Sequence, residues 1–134
     1  MASKKDWTIA VIRVIVGIIF LTHGIQKLFM VGFEGVSEMF VNMGIPLAFT
    51  SAVIVSLVEF FGGILLILGL LTRWASIPLL IVMLVAFFAV HLPNGFFLPM
   101  GFEFVLALMA PLVGFIMAGP GTLSLGEKIW GRDI

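Results

Sequence analysis

Four long apolar stretches limit what this chain can fold into. They run from Trp7 to Leu28, from Leu47 to Leu71, from Trp74 to His91 and from Phe102 to Ala118. A bilayer core about 30 Å thick is crossed by roughly 20 helical residues. A backbone segment that faces lipid must satisfy its own hydrogen bonds, as a helix does. The sequence therefore predicts an all-α, multi-pass membrane protein with one domain over residues 1–134, built as a bundle of four transmembrane helices.

Composition agrees with a membrane protein and excludes several kinds of site. Apolar residues make up 62% of the chain and charged residues 10%, which is outside the range of soluble domains. The formal net charge is zero, so no basic surface indicates nucleic acid as a partner. Cysteine is absent, which excludes disulfides, iron–sulfur ligation, thiolate zinc and a thiol relay. Redox chemistry would need a bound cofactor or a redox substrate.

Positive charges predict how the bundle is oriented. Lys4 and Lys5 precede the first apolar stretch as in a signal peptide, but no cleavage site follows, so we expect a retained helix. Five lysine and arginine residues lie outside the predicted helices, and all five fall on one side: Lys4, Lys5, Arg73, Lys128 and Arg132. The other side has only Lys27, at the end of the first predicted helix. The positive-inside rule then places both termini in the cytoplasm. Between Gly35 and Gly44, helical spacing predicts a short helix at the interface or capping the bundle.

The first apolar helix has one polar face. At about 100° per residue, one arc of the helix holds Arg13, Phe20, His23, Gly24 and Lys27, whereas Gln26 points elsewhere. Charged groups in membrane spans are costly and usually face the bundle interior. On the second helix, Glu59 shares a face with Gly62 and Gly63, which would let a neighbouring helix or a flat ligand come close.

Depth in the bilayer suggests a pocket. His23, Lys27, His91 and Glu103 come from three helices and are predicted in the outer third of the membrane, with Glu59 beneath them. We therefore predict a small-ligand pocket that opens to the outer face, with His23 and Lys27 turned inward.

Structural roles for these residues stay open. Glu59 either serves a ligand or proton or pairs with Arg13, directly or through a water, and we predict that these two side chains interact. The alternative for Lys27 and Glu103 is placement at a helix end rather than at a ligand. The alternative for His91 is a capping role. His23 and His91 could also be axial haem ligands. A zinc site is less favoured, because clear ligand spacing is missing.

At these positions the chain resembles the DoxX family of small four-helix membrane proteins. The matching residues are Arg13, Gly17, Phe20, His23, Gly24, Lys27, Leu28, Glu59, Gly62, Gly63, Leu66, Gly69, the segments 71–75, 91–97 and 101–103, and Gly119, Pro120, Gly121, Leu123, Ser124 and Leu125. Gly126 replaces a common aspartate. Phe104 replaces the usual tyrosine and removes a phenol that could have served a redox ligand.

The resemblance implies a membrane component of a quinone-linked oxidoreductase system in the plasma (inner) membrane of a prokaryote. Family members resemble the membrane subunit of a thiosulfate:quinone oxidoreductase or are associated with quinone resistance and oxidative-stress complexes. The expected partners are the lipid bilayer, a membrane quinone or other small ligand, soluble redox proteins and other copies of the chain. The candidate catalytic residues are Glu59, His23 and His91. The candidate ligand-binding residues are Arg13, Lys27, Glu103, Phe20, Gly24, Gly62, Gly63 and Asn94. The competing hypothesis is a non-catalytic membrane scaffold or assembly partner.

Overall fold

The computed structural model describes residues 1–131 and is helical, with no strand in that range. Its elements are α1 (Lys4–Ile25), a π-helical turn (Gln26–Val31), α2 (Gly32–Asn42), α3 (Ala48–Leu68), α4 (Thr72–Val85), a second π-helical turn (Ala86–His91), a 3-10 turn (Leu92–Asn94), α5 (Glu103–Ala118) and α6 (Leu125–Trp130). The four long helices predicted from the sequence are confirmed as α1, α3, α4 and α5. The end with Lys4, Leu68 and Ala118 is called the terminal end below, and the opposite end the loop end.

The length and apolar composition of its helices identify the molecule as a membrane protein. The segments Lys4–Asn42, Ala48–Leu68 and Thr72–Asn94 are each long and apolar enough to cross a bilayer. α5 is apolar but shorter, at 16 residues, which is about 24 Å of helix.

The first helix begins and bends where local chemistry allows. Ser3 caps α1 by accepting a hydrogen bond from the Asp6 backbone, and the Asp6 carboxylate accepts one from the Ser3 backbone in return. After the π-helical turn, Gly32 has a φ of +78°, which glycine adopts without steric cost. The chain bends there into α2, which packs on α3 and buries Val36. The predicted short helix therefore exists, and it begins three residues earlier than expected.

The turn between α3 and α4 corrects one boundary. The sequence predicted Thr72 and Arg73 as the connection, but both lie in the first turn of α4, and residues 69–71 form the turn. Gly69 ends α3 with a φ of +68°, the left-handed conformation that commonly closes helices. The short turn makes α3 and α4 an antiparallel hairpin.

The core lies between the four long helices. α1 packs mainly against α3, α3 against α4, and α4 against α5. Each long helix contributes to one buried apolar cluster: Val16 and Phe20 from α1, Leu66 from α3, Leu79 and Met83 from α4, and Val105, Leu108, Leu112 and Phe115 from α5. In a membrane the apolar driving force between helices is weak, so close van der Waals packing must hold this cluster together.

Glycines let α1 and α3 approach closely. A Cβ on Gly63 would overlap the backbone nitrogen of Leu21 and lie 2.8 Å from the carbonyl oxygen of Gly17. A Cβ on Gly24 would lie 2.5 Å from the Cα of Phe60. Backbone atoms cannot move aside as a flexible side chain can, so these positions accept no larger residue without separating the helices.

We expect Gly63→Ala to destabilise the protein by about 1–3 kcal/mol, the usual cost of overpacking. The matched control is Gly114→Ala on α5, where an added Cβ would meet nothing within 4 Å. Unfolding of both variants in mild detergent, followed by circular dichroism against SDS concentration, checks the prediction. Equal stability of the two variants would contradict the close α1–α3 contact.

Candidate functional site

A buried ion pair lies between α1 and α3 in the loop-end half of the bundle. Lys27 Nζ donates to Glu59 Oε2 at 2.7 Å, and the two side chains are 19% and 6% exposed. Glu59 lies in the middle of α3, and Lys27 lies in the π-helical turn that follows α1. Within residues 1–131 no other ion pair forms. The structure therefore supplies the Glu59 carboxylate with a cationic partner inside the membrane.

The predicted interaction between Arg13 and Glu59 is wrong. The Arg13 guanidinium donates to the carbonyl oxygens of Leu66 at 2.8 Å and Leu123 at 2.7 Å, and more weakly to that of Ile67 at 3.4 Å. Arg13 is 2% exposed and lies at the terminal end, where the last carbonyls of α3 point. These carbonyls carry the negative end of the α3 dipole and have no donor within the helix. They therefore bind the positively charged Arg13 guanidinium more favourably than the Glu59 carboxylate, further along α3, would.

His23 borders the ion pair from the outside. Its ring lies 6.3 Å from the ring of Phe104 on α5, and it interacts electrostatically with both Lys27 and Glu59. The side chain is nevertheless exposed at the bundle surface. His23 is thus near the pair but exposed, and its predicted role as an inward-facing pocket residue stays a prediction. Two surface grooves, described below, lie elsewhere and include none of these three residues.

The loop-end residues form a separate group. His91 Nδ1 is 2.9 Å from the carbonyl oxygen of Met100, and the Asn94 amide donates to the carbonyl of Val90 at 2.8 Å. Glu103 begins α5, and its backbone nitrogen donates to the carbonyl of Phe96. These bonds shape the loop between α4 and α5, which is the capping role left open for His91. In residues 1–131 no hydrogen bond joins this group to Lys27 or Glu59. The convergence of His23, Lys27, His91 and Glu103 on one ligand therefore stays a prediction.

The remaining predicted ligand contacts are packing residues. Phe20 is 1% exposed and belongs to the apolar core. Gly24 and Gly63 face the backbone of the partner helix, and a Cβ on Gly62 would lie 2.9 Å from a methyl group of Leu79. The space beside these residues is already filled by protein. The described part of the chain has no group of three or more histidine, cysteine, aspartate or glutamate side chains that could hold a metal ion.

Comparison with known proteins identifies the family. The DoxX family model matches residues 8–92, which include both residues of the buried ion pair. The chain belongs to the DoxX family. An uncharacterised membrane protein of Mycobacterium tuberculosis is 37% identical to it over 132 residues, covering 90% of this chain and 80% of the relative. No solved structure matches.

Two further relatives of this DoxX protein are bacterial. A Bacillus subtilis protein named "Putative oxidoreductase CatD" is 35% identical over 97 residues, covering 72% of this chain and 69% of that protein. An uncharacterised protein of Haemophilus influenzae is 31% identical over 141 residues and covers 98% of both chains.

Sequence reasoning missed two features of this DoxX protein. The first is the pair of π-helical turns, Gln26–Val31 and Ala86–His91, each holding one predicted polar residue. A π turn adds a residue to the helical turn, so a helical wheel at 100° per residue no longer holds for the residues that follow each turn. The second is Arg73, whose guanidinium donates to the carbonyls of Ile116 and Met117, both at 2.8 Å. The signal that could have indicated this contact is that Arg73 is predicted at the same end of the bundle as the last carbonyls of a neighbouring helix.

Proposed function

We propose that this DoxX protein is the membrane component of a quinone-linked oxidoreductase system in a prokaryotic plasma membrane. One observation carries the proposal: the buried Lys27–Glu59 ion pair lies beside an exposed histidine within the apolar span. Ionisable groups at membrane depth are retained chiefly where they serve a ligand, an ion or a proton. The name of the Bacillus subtilis relative supports an oxidoreductase role.

The residues around the pair suit a flat ligand with ring carbonyls. An ammonium group has three donors, and Lys27 uses one of them on Glu59, so its remaining N–H groups can donate to a carbonyl oxygen. His23 is reached from the bilayer side, and its contact with Phe104 provides an aromatic surface for a ring. A bound quinone supplies the two-electron chemistry, taking two electrons and two protons to form the quinol. The two electrons come from a reductant on a partner protein or in solution, since the chain has no thiol to carry them.

The chain itself has side chains that can hold and transfer the protons of this reaction. When the Lys27 ammonium turns from Glu59 toward a ligand oxygen, Glu59 Oε2 is free to receive a proton and pass it to the ligand. His23 can exchange a proton at its ring nitrogens. Glu59 and His23 therefore act as proton-holding groups and Lys27 as the orienting donor.

Quinone retention tests this proposal. The protein is extracted from the membrane in mild detergent, and its bound quinone is measured by chromatography and mass spectrometry. We expect near-stoichiometric quinone with the unmodified chain and a loss of roughly tenfold or more with Glu59→Gln or His23→Ala, as expected when hydrogen bonds worth about 1.4 kcal/mol or more are lost. Gln26→Leu is the matched control, since Gln26 is exposed and adjacent to Lys27.

The competing outcome would favour a scaffold. If the unmodified chain carries no more quinone than an unrelated membrane protein of equal size, the Lys27–Glu59 pair is a structural link between α1 and α3. A non-catalytic membrane partner for other proteins would then be the better function.

The proposed location includes an orientation with both termini in the cytoplasm. The terminal end carries Lys4, Lys5, Arg73 and Lys128, and Asp6 accepts a hydrogen bond from Thr122, so both terminal segments share this end. We expect single cysteines at Ser3 and at Ser37 to differ in intact cells: an impermeant maleimide should label position 37 and not position 3. Arg132 and the test position 133 lie outside the described residues. Labelling of position 3 alone would reverse the orientation.

A further inference from the structure

Two grooves join at the terminal end of the bundle. The first, of about 390 Å³, lies between α1 and α5 and has apolar walls that include Ile12, Pro111 and Gly114. The second, of about 410 Å³, has polar walls that include Lys5 and Glu127. Ile9 and Ala118 line both grooves. The two grooves therefore adjoin each other, and they are called the apolar arm and the polar arm below.

The apolar arm has the shape of an acyl-chain site. Its lining on α5 runs from Pro111 to Ala118, which is about 10 Å along the helix. Gly114 keeps it open, because no heavy atom lies within 4 Å of the place where a Cβ would stand. Ile12 is 43% exposed on the opposite wall. A hydrocarbon chain from the bilayer can lie in this arm without displacing protein atoms.

The polar arm presents opposite charges. The Asp6 carboxylate is already used, since it accepts hydrogen bonds from Ser3 and from the Thr122 backbone. Lys5 and Glu127 have no ion-pair partner among residues 1–131. Lys5 is complementary to a phosphate, and Glu127 is complementary to an ammonium group with N–H donors. The two charges together match a head group that carries both.

We propose that the joined grooves bind one phospholipid with a phosphate and a primary ammonium in its head group, that is, a phosphatidylethanolamine. The acyl chain lies along Ile12 and Gly114, the phosphate lies at Lys5, and the ammonium donates to Glu127. An anionic lipid without an ammonium would leave the Glu127 carboxylate beside its own negative charge. A choline head keeps the charge but has no N–H to donate. This site shares no lining residue with Lys27, Glu59 or His23, so it is independent of the proposed quinone role.

Lipid selectivity tests the assignment. The full chain is purified, delipidated in detergent and titrated with phosphatidylethanolamine, phosphatidylcholine and phosphatidylglycerol of identical acyl chains, and lipid adducts are measured by native mass spectrometry. We expect phosphatidylethanolamine to bind roughly tenfold more tightly than the other two. Equal binding of the three lipids, or a preference for phosphatidylglycerol, would overturn the proposal and indicate ordinary annular lipid or an anionic-lipid site.

Two variants separate the arms of the site. Glu127→Gln should reduce the preference over phosphatidylcholine to about twofold or less, because it removes the charge that selects the ammonium. The fold tolerates this change, since only the Glu127 backbone takes part in the Ser124 cap of α6. Gly114→Leu fills the apolar arm and should weaken all three lipids several-fold. Lys128→Gln, an exposed neighbour outside the groove, is the control. If either test variant binds lipid as the unmodified chain does, the head group or the acyl chain lies elsewhere.

Discussion

Replacing Lys27 by methionine is expected to cause one of the two largest losses of stability in this protein, about 3–5 kcal/mol. The change leaves the Glu59 carboxylate buried without its cation, and an uncompensated buried charge is far more costly than the absence of both partners. The carboxylate is 6% exposed and its partner is 2.7 Å away, so water cannot replace the ammonium fully.

The double variant Lys27→Met with Glu59→Gln measures the coupling. Because it removes both charges, we expect it to be more stable than Lys27→Met alone by about 2 kcal/mol. The measurement is SDS-induced unfolding in mild detergent micelles, with Gln26→Leu as the neighbouring control. Additive losses from the two single changes would show that the pair seen in the structure does not hold in the folded protein.

Replacing Arg13 by methionine is expected to cost a similar amount, about 3–5 kcal/mol. Two short hydrogen bonds from a charged donor are lost, each worth about 1.5–3 kcal/mol when buried, and the carbonyl of Leu123 is left without this donor. Arg13→Lys should not rescue the loss, because one ammonium cannot span carbonyls on two segments as the planar guanidinium does. Gly69 is part of the same arrangement, since a Cβ there would overlap the Arg13 guanidinium.

Hydrogen exchange locates the effect of Arg13→Met. Arg13 ties α1 to the end of α3 and to the segment before α6, so amide exchange should accelerate in residues 119–131 more than in the middle of α3. Lys4→Met is the control, because Lys4 is exposed at the same end of the bundle. Unchanged protection in residues 119–131 would mean that other contacts hold this segment.

The helices could be predicted from sequence, whereas most contacts between polar residues could not. Hydropathy over about 20 residues is a local property, and it placed α1, α3, α4 and α5 within a few residues of their ends. Local turn chemistry then explains why one end was misplaced: Gly69 closes α3 three residues before the predicted end. The choice of partner for Glu59 had no such local signal, since Arg13 and Lys27 lie on one predicted face of the same helix.

The sequence by itself determined the class of molecule, the number of long helices and the small set of ionisable residues that must be satisfied within them. The tertiary structure decided which groups satisfy which. Arg13 lies opposite the open carbonyls of α3 because glycines set how closely and at what register α1 and α3 pack. Lys27, in the π-helical turn after α1, pairs with Glu59 across the same helix contact. Register and helix unwinding depend on atoms far apart in the chain, so no pattern within a single helix determines them.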